Sequence, residues 1–342
     1  MNENKIKPSF QTERQELAKI LPIDTPFTVI ADISDVCNFK CNYCFRGNVS
    51  DVKTEYYRKN KLMSFDMFKK VVDQCKSFPK RIKRFSLSHE GESLVHPNFV
   101  EMVNYAKEMD FADCIEIHTN ASLLTEEYAK KISKSGLDRI IISIQGLTGE
   151  KYKNICDVNL DFEKFYNNLK TLYENKTKLH MSIKIVDIAL DDGEDKLFYE
   201  KFSKISDDIF IETIIPLWDG IKYENVTKKD LSFTTKNKYG NDYKEQLCCP
   251  LIFYTINVLP DGTIFPCTNL EPPFILGNIN EITLLQAWNS NKRKKFLIEQ
   301  LKNTRKNHEV CKKCYIPQNT VLSSRDIIDD GRDKILVKLL EN

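Results

Sequence analysis

Over the first 215 residues, short runs rich in Ile, Val and Phe alternate with stretches whose apolar residues recur at helical spacing. That is the pattern of βα units wound around a parallel sheet. The runs at 27–34, 84–88, 114–118, 139–145, 180–186 and 209–214 predict six strands. The stretches at 64–78, 97–109, 125–135, 161–173 and 194–205 predict the helices between them. Six such units predict an α/β fold in which the sheet closes only part of the way round, a partial (β/α)6 barrel. No internal repeat or low-complexity segment interrupts the pattern.

A parallel strand buried on both faces is continuously apolar. Here polar residues recur every second position: Asp32 and Ser34, Ser86 and Ser88, Glu116 and His118, Ser143 and Gln145, Ser182 and Lys184, and Glu212. Side chains alternate across a strand, so these share one face while Ile115, Ile117, Ile183 and Ile185 share the other. The expectation is a polar barrel lining that accommodates a charged ligand. The competing reading for any single position is a satisfied core hydrogen bond or a strand-end residue.

The chain's 342 residues suffice for one large α/β domain and a smaller one. A net charge of +2 provides no global field to recruit nucleic acid or a membrane. With no run of eighteen apolar residues and no signal peptide pattern, the expected location is cytoplasmic. Eleven cysteines in that setting read as metal ligands and reduced thiols.

Three of them form Cys37-Asn-Phe-Lys-Cys41-Asn-Tyr-Cys44, just after the first predicted strand. Three thiolates leave one iron of an iron–sulfur cube open for a substrate or cofactor, whereas a closed structural site normally has four. Taken alone, the spacing also admits a partial zinc knuckle. The loop resembles that of the radical S-adenosylmethionine (SAM) superfamily, in which CxxxCxxC holds a 4Fe-4S cluster that chelates SAM.

Other segments carry the same resemblance. His89-Glu90-Gly91-Glu92-Ser93-Leu94 is similar to the family's GGEP segment, with Glu90 replacing the first glycine and Ser93 the proline. It implies that Glu92 accepts from the methionyl ammonium of SAM. His118-Thr119-Asn120-Ala121 resembles the TNG turn, with Ala121 replacing glycine, and makes Asn120 a SAM contact. Ile142-Ser143-Ile144-Gln145-Gly146 resembles the segment near the ribose and carboxylate, which points to Ser143; Tyr43 matches the aromatic position beside the adenine. Each segment alone also has an ordinary turn or capping reading. The resemblance covers 27–215 and implies a TIM-like partial barrel.

The last third carries Cys249, Cys267, Cys311 and Cys314. Asp261-Gly262 predicts a hairpin that draws Cys249 and Cys267 together. Four thiolates suit zinc as well as iron–sulfur. With Leu276-Gly277-Asn278-Ile279 and Leu285-Gln-Ala-Trp288-Asn289-Ser290, the set resembles the SPASM and twitch extensions of radical SAM enzymes. No cysteine follows Cys314, so the resemblance implies the shorter twitch type with one auxiliary 4Fe-4S cluster. The expected organisation is an N-terminal extension 1–26, the barrel 27–215, a linker 216–247, the auxiliary-cluster domain 248–320 and a C-terminal helix 321–342.

Cys75, Cys114 and Cys156 read as packing residues. Cys248 adjoins a presumed ligand and is a candidate either to replace Cys249 or to donate hydrogen in the active site. Residues 292–313 hold nine basic side chains against two acidic ones, which reads as a solvated helix or as a docking face for an acidic partner.

The resemblance implies reductive cleavage of SAM to a 5′-deoxyadenosyl radical, fed by a reductase, flavodoxin or ferredoxin, and a small-molecule or carrier-linked substrate. An auxiliary cluster that accepts an electron favours oxidation of a secondary alcohol of a sugar, polyol or aminocyclitol. A base is then needed, for which Lys184, Glu212 and His118 are candidates. The alternatives are epimerisation of a sugar or peptide with Cys248 as hydrogen donor, maturation of a peptide or protein, and a non-enzymatic zinc-binding scaffold. Against maturation, the 26 residues before the first strand are few for a leader-binding domain.

Overall fold

The computed structural model describes residues 3–9, 14–48, 52, 54–57, 59–218, 220–227, 231 and 235–341. Parts of the predicted extension 1–26 and linker 216–247 lie outside the described residues. The six predicted strands form as β1 (Thr28–Ala31), β2 (Arg84–Ser86), β3 (Ile115–Thr119), β4 (Arg139–Ile144), β5 (His180–Val186) and β6 (Asp208–Glu212). Each is parallel to the next. The first two are shorter than their apolar runs, and Ile33 and Leu87, past the strand ends, remain buried in the core.

Helices form at Phe65–Cys75, Phe99–Glu108, Glu126–Ser133, Phe162–Asn175 and Glu194–Phe202, within the predicted stretches. A further helix, Gly149–Cys156, presents only Tyr152, Ile155 and Cys156 to the core. Ser64, Thr125, Thr148 and Asp161 each cap a helix by accepting from a backbone N–H three residues on. The outward faces of the strands (Val29, Ile117, Ile140, Ile142, Ile183, Ile185) pack against Phe68, Met102, Ile132, Leu169 and Phe198 in one continuous core.

The sheet does not end at β1. Its order is β6-β5-β4-β3-β2-β1-β7-β8-β9, with β7 (Thr255–Val258) parallel to β1, and β8 (Thr263–Phe265) and β9 (Gly277–Asn278) antiparallel. The C-terminal cysteine segment is therefore hydrogen-bonded onto the barrel. Leu259 N–H reaches Thr263 O at 2.9 Å across the Asp261-Gly262 turn, and Gly262 sits at φ +84°, where glycine is favoured. At the other edge the N-terminal segment covers β6: Ile6 bridges Ile209, and Lys5 Nζ donates to Ser203 O (3.0 Å) and Ser206 O (2.7 Å).

A second core joins Leu17, Leu21, Phe253, Phe296, Leu301 and Ile335. It corrects the solvated-helix reading of 292–313 at two positions. Arg293 is buried with its guanidinium 3.4 Å from the Trp288 ring centre, and Arg305 is buried and donates to Cys314 O. Among the described residues no helix is long and apolar enough to cross a membrane.

Candidate active site

The inward face of the barrel is polar, in layers. At the floor, Glu116 is fully buried between Arg84 (3.1 Å) and Arg139 (2.9 and 2.7 Å). One layer up, Glu212 is held by Lys184 at 2.7 Å and by Lys238 at 3.4 Å. Although burial works the other way, the two lysines pull the Glu212 carboxyl down to about 2. Burial, reinforced by Lys184, Arg84 and Lys238, pushes His118 well below the usual imidazole range. Lys184, Glu212 and His118 are thus brought together. Glu212 is locked as an anion, and His118 would have to become a cation beside other cations to accept a proton.

The CxxxCxxC loop stands at the C-terminal ends of the strands and docks on the helix Gly149–Cys156: Lys40 N–H donates to Cys156 O (3.0 Å) and Asn42 N–H to Ile155 O (2.9 Å). Cys41 and Cys156 place their sulfurs 3.5 Å apart. Arg46, just past Cys44, pairs with Asp35 and donates to Glu90 O at 3.2 Å. Gly91 is required here, since a Cβ would lie 1.8 Å from Ser34 O. Burial pushes the Cys37 thiol up to about 11, so a metal that displaces the proton is needed to make it a thiolate.

The residues expected around SAM gather at the same end. Glu92 accepts from Leu94 N–H (3.0 Å), the Thr119 hydroxyl (2.6 Å) and Asn120 N–H (2.7 Å). A carboxylate has about four acceptor sites, so one remains. Asn120 also donates to Asn38 Oδ1 at 2.9 Å, tying this turn to the cysteine loop. Ala121 adopts φ +57°, the conformation for which the family's glycine is suited. Tyr43 donates to Gln145, and Ser143 pairs in register with Lys184.

Cys249, Cys267, Cys311 and Cys314 line a single cavity of about 30 Å³, beside Arg305 and Thr268. A lone zinc would hold its sulfurs within about 4 Å of one another. Among the described residues no three His, Cys, Asp or Glu side chains converge that closely. Cys248 is not in the cavity lining. It is fully buried in the second core, with its N–H bonded to Asp329 Oδ1 at 2.9 Å. This position gives no support to Cys248 as a hydrogen donor inside the barrel.

Sequence reasoning gave no role to Lys238, Arg46, Tyr57, His89 and Asn257, which come from loops or from β7. The proximity of Arg46 to Cys44 and the place of His89 at the head of the GGEP-like segment were the available signals.

The comparisons agree with this architecture. Residues 32–197 match the profile of the Radical SAM superfamily, and residues 248–315 match SPASM, an iron-sulfur cluster-binding domain. The chain belongs to the radical SAM superfamily and carries a SPASM-type extension. Its cofactors are SAM, the SAM-binding 4Fe-4S cluster and an auxiliary 4Fe-4S cluster. A GTP 3′,8-cyclase of Clostridium perfringens (strain SM101 / Type A) is 27% identical over 199 residues, 58% of this chain and 58% of the relative, so the match spans somewhat over half of that protein. The structure of BtrN in complex with AdoMet and 2-DOIA superposes with a TM-score of 0.56 at 18% identity, covering 89% of this chain and 99% of that one. Streptococcus suis SuiB bound to precursor peptide SuiA gives 0.59 at 16% identity, over 89% and 72%. At these identities the two structures establish the fold.

Proposed function

We propose that this radical SAM enzyme oxidises a secondary alcohol of a sugar, polyol or aminocyclitol. Cys37, Cys41 and Cys44 would hold the SAM-binding cluster, and Cys249, Cys267, Cys311 and Cys314 the auxiliary one. When bound, these groups supply an oxidant able to take a hydrogen atom from carbon and an acceptor for one electron.

The observation that carries the reading is the short protein connection between the two cysteine sets. Arg46, two residues after Cys44, bonds the carbonyl of Glu90; the adjacent His89 approaches the backbone of Thr268, the neighbour of Cys267. This short connection supports the reading, since an electron leaving a substrate radical needs the auxiliary set near the first. The likeness to BtrN, with 2-DOIA in its title, supports a small polar substrate.

A second reading, peptide modification, is favoured by one feature. A cleft of about 510 Å³ lined by Leu217, Trp218, Leu270, Glu271 and Lys313 opens beside Cys314, and SuiB is described with a precursor peptide. Epimerisation through Cys248 draws no support from its buried position.

The test is anaerobic reconstitution with dithionite, SAM and the probes 2-DOIA, myo-inositol and glucosamine. Oxidation yields 5′-deoxyadenosine one-to-one with a product two mass units lighter. A product of unchanged mass that has gained solvent deuterium contradicts it and indicates epimerisation.

A further inference from the structure

The mouth of the barrel holds a polar group centred on Asp32 and Asn257, to which none of the motifs assigns a role. Asp32 directly follows β1 and Asn257 lies in β7 beside Ile30, so strand alternation sets both on the inward side, and Glu90 lies in the bend after β2. Asp32 is 1% exposed and Asn257 0%. Asp32 Oδ2 and Asn257 Oδ1 have no hydrogen-bond partner, and neither do the inward-facing Thr255 Oγ1 and Ser182 Oγ. Buried acceptors left unmade are costly, so this lining calls for a ligand that brings donors.

The group is firmly placed. The backbone of Glu90 and Ser34 lies beside the Asp32 carboxyl and favours its charged form. Asn257 Nδ2 approaches Tyr57 Oη at 3.5 Å, and Tyr57 Oη is 3.0 Å from His89 Nδ1. Arg46, paired with Asp35, is the nearby cation. Burial, opposed by Arg46 and reinforced by Asp35, raises Asp32 to about 8. Burial and the charge of Asp32 raise Glu90 to about 8 as well. Burial holds His89 near 4, and the Tyr57 phenol is pushed well above its usual range, so neither is charged at neutral pH.

We infer that Asp32 and Asn257 form the substrate subsite, accepting hydrogen bonds from the reacting hydroxyl and from a vicinal hydroxyl or ammonium group, and that Asp32 takes the hydroxyl proton. The inference rests on the reading of the enzyme as an alcohol oxidant and names its substrate-binding and proton-accepting residues. In the step, the substrate O–H bond breaks, an O–H bond forms on Asp32 Oδ2, and the electron pair stays on the substrate oxygen. The carbon-bound hydrogen and the remaining electron leave to the SAM-derived oxidant and the auxiliary iron–sulfur cluster. A carboxylate that titrates near the working pH suits this transfer, whereas Glu212 and His118 do not.

The test uses the anaerobic, SAM-loaded holoenzyme with 2-DOIA, myo-inositol and glucosamine as probes. Wild type binds at least one of them by calorimetry, and Asp32→Asn and Asn257→Leu weaken that binding about tenfold or more. With the bound probe, Asp32→Asn lowers product formation about a hundredfold or more while 5′-deoxyadenosine still forms, and Asp32→Glu restores part of the rate. If Asp32→Asn fails to assemble its clusters, Asn257→Leu decides: probe binding weakens about tenfold or more while SAM cleavage persists. Binding of no probe by wild type, unchanged binding and turnover in Asp32→Asn, or unchanged probe binding in Asn257→Leu overturns the inference. Intact SAM cleavage alongside any of these leaves radical SAM chemistry standing, whereas absent SAM cleavage in wild type counts against the proposed function itself.

Discussion

Replacing Glu92 by alanine strands three hydrogen-bond donors in the barrel wall: Leu94 N–H, the Thr119 hydroxyl and Asn120 N–H. The hydroxyl can rotate to another acceptor, but the two amides are fixed by the backbone. At about 1–3 kcal/mol for each stranded buried donor, the loss is about 2–6 kcal/mol, a large share of the ~5–15 kcal/mol that holds a typical domain folded. Glu92→Gln keeps one carbonyl oxygen but turns an amide donor toward another donor, which costs about 1–3 kcal/mol. Urea unfolding of the anaerobic reconstituted protein, followed by circular dichroism and by iron absorbance, reads both changes as shifts in midpoint. A Glu92→Ala variant within about 0.5 kcal/mol of wild type refutes the clamp, since that is the range of an ordinary surface substitution. SAM affinity measured on Glu92→Gln then reports separately on the remaining acceptor site.

Two further outcomes follow from the site. Glu212 is depressed to about 2 in the folded protein against 4.5 for an ordinary glutamate, so its stabilising contribution is present above about 4.5 and is lost as pH falls through 2; in Lys184→Met this acid dependence shrinks, as an acid-unfolding titration of both proteins would show. Cys249→Ala reduces the iron content of reconstituted enzyme from about eight to about four per chain, while Cys248→Ala leaves it near eight, and the reverse result reassigns the ligand.

Much of the site was legible because a parallel strand with polar residues at every second position leaves few arrangements. Glu116, His118, Lys184 and Glu212 were read as facing inward from alternation alone, and the register brings Glu116 against Arg139 and Ser143 against Lys184. The helix Gly149–Cys156 was not legible: its three buried side chains make too short a periodic signal, and only the Thr148 cap marks its start. Nor could alternation reveal that β7 pairs with β1, because the register between strands more than two hundred residues apart is set by tertiary packing. That pairing sets Asn257 at the barrel mouth with Asp32, and it explains why Asp32 was seen only as one polar position among several. The basic run 292–313 misled for a related reason, because Arg293 and Arg305 satisfy buried carbonyl groups.

The most direct measurement is reductive SAM cleavage by the anaerobic, iron-reconstituted protein, compared with a variant in which Cys37, Cys41 and Cys44 are all alanine. Wild type is expected to release 5′-deoxyadenosine and methionine on addition of dithionite, and the variant neither, while its circular dichroism stays close to wild type. Equal SAM cleavage by the two proteins, or none by wild type carrying its full complement of iron, contradicts the account.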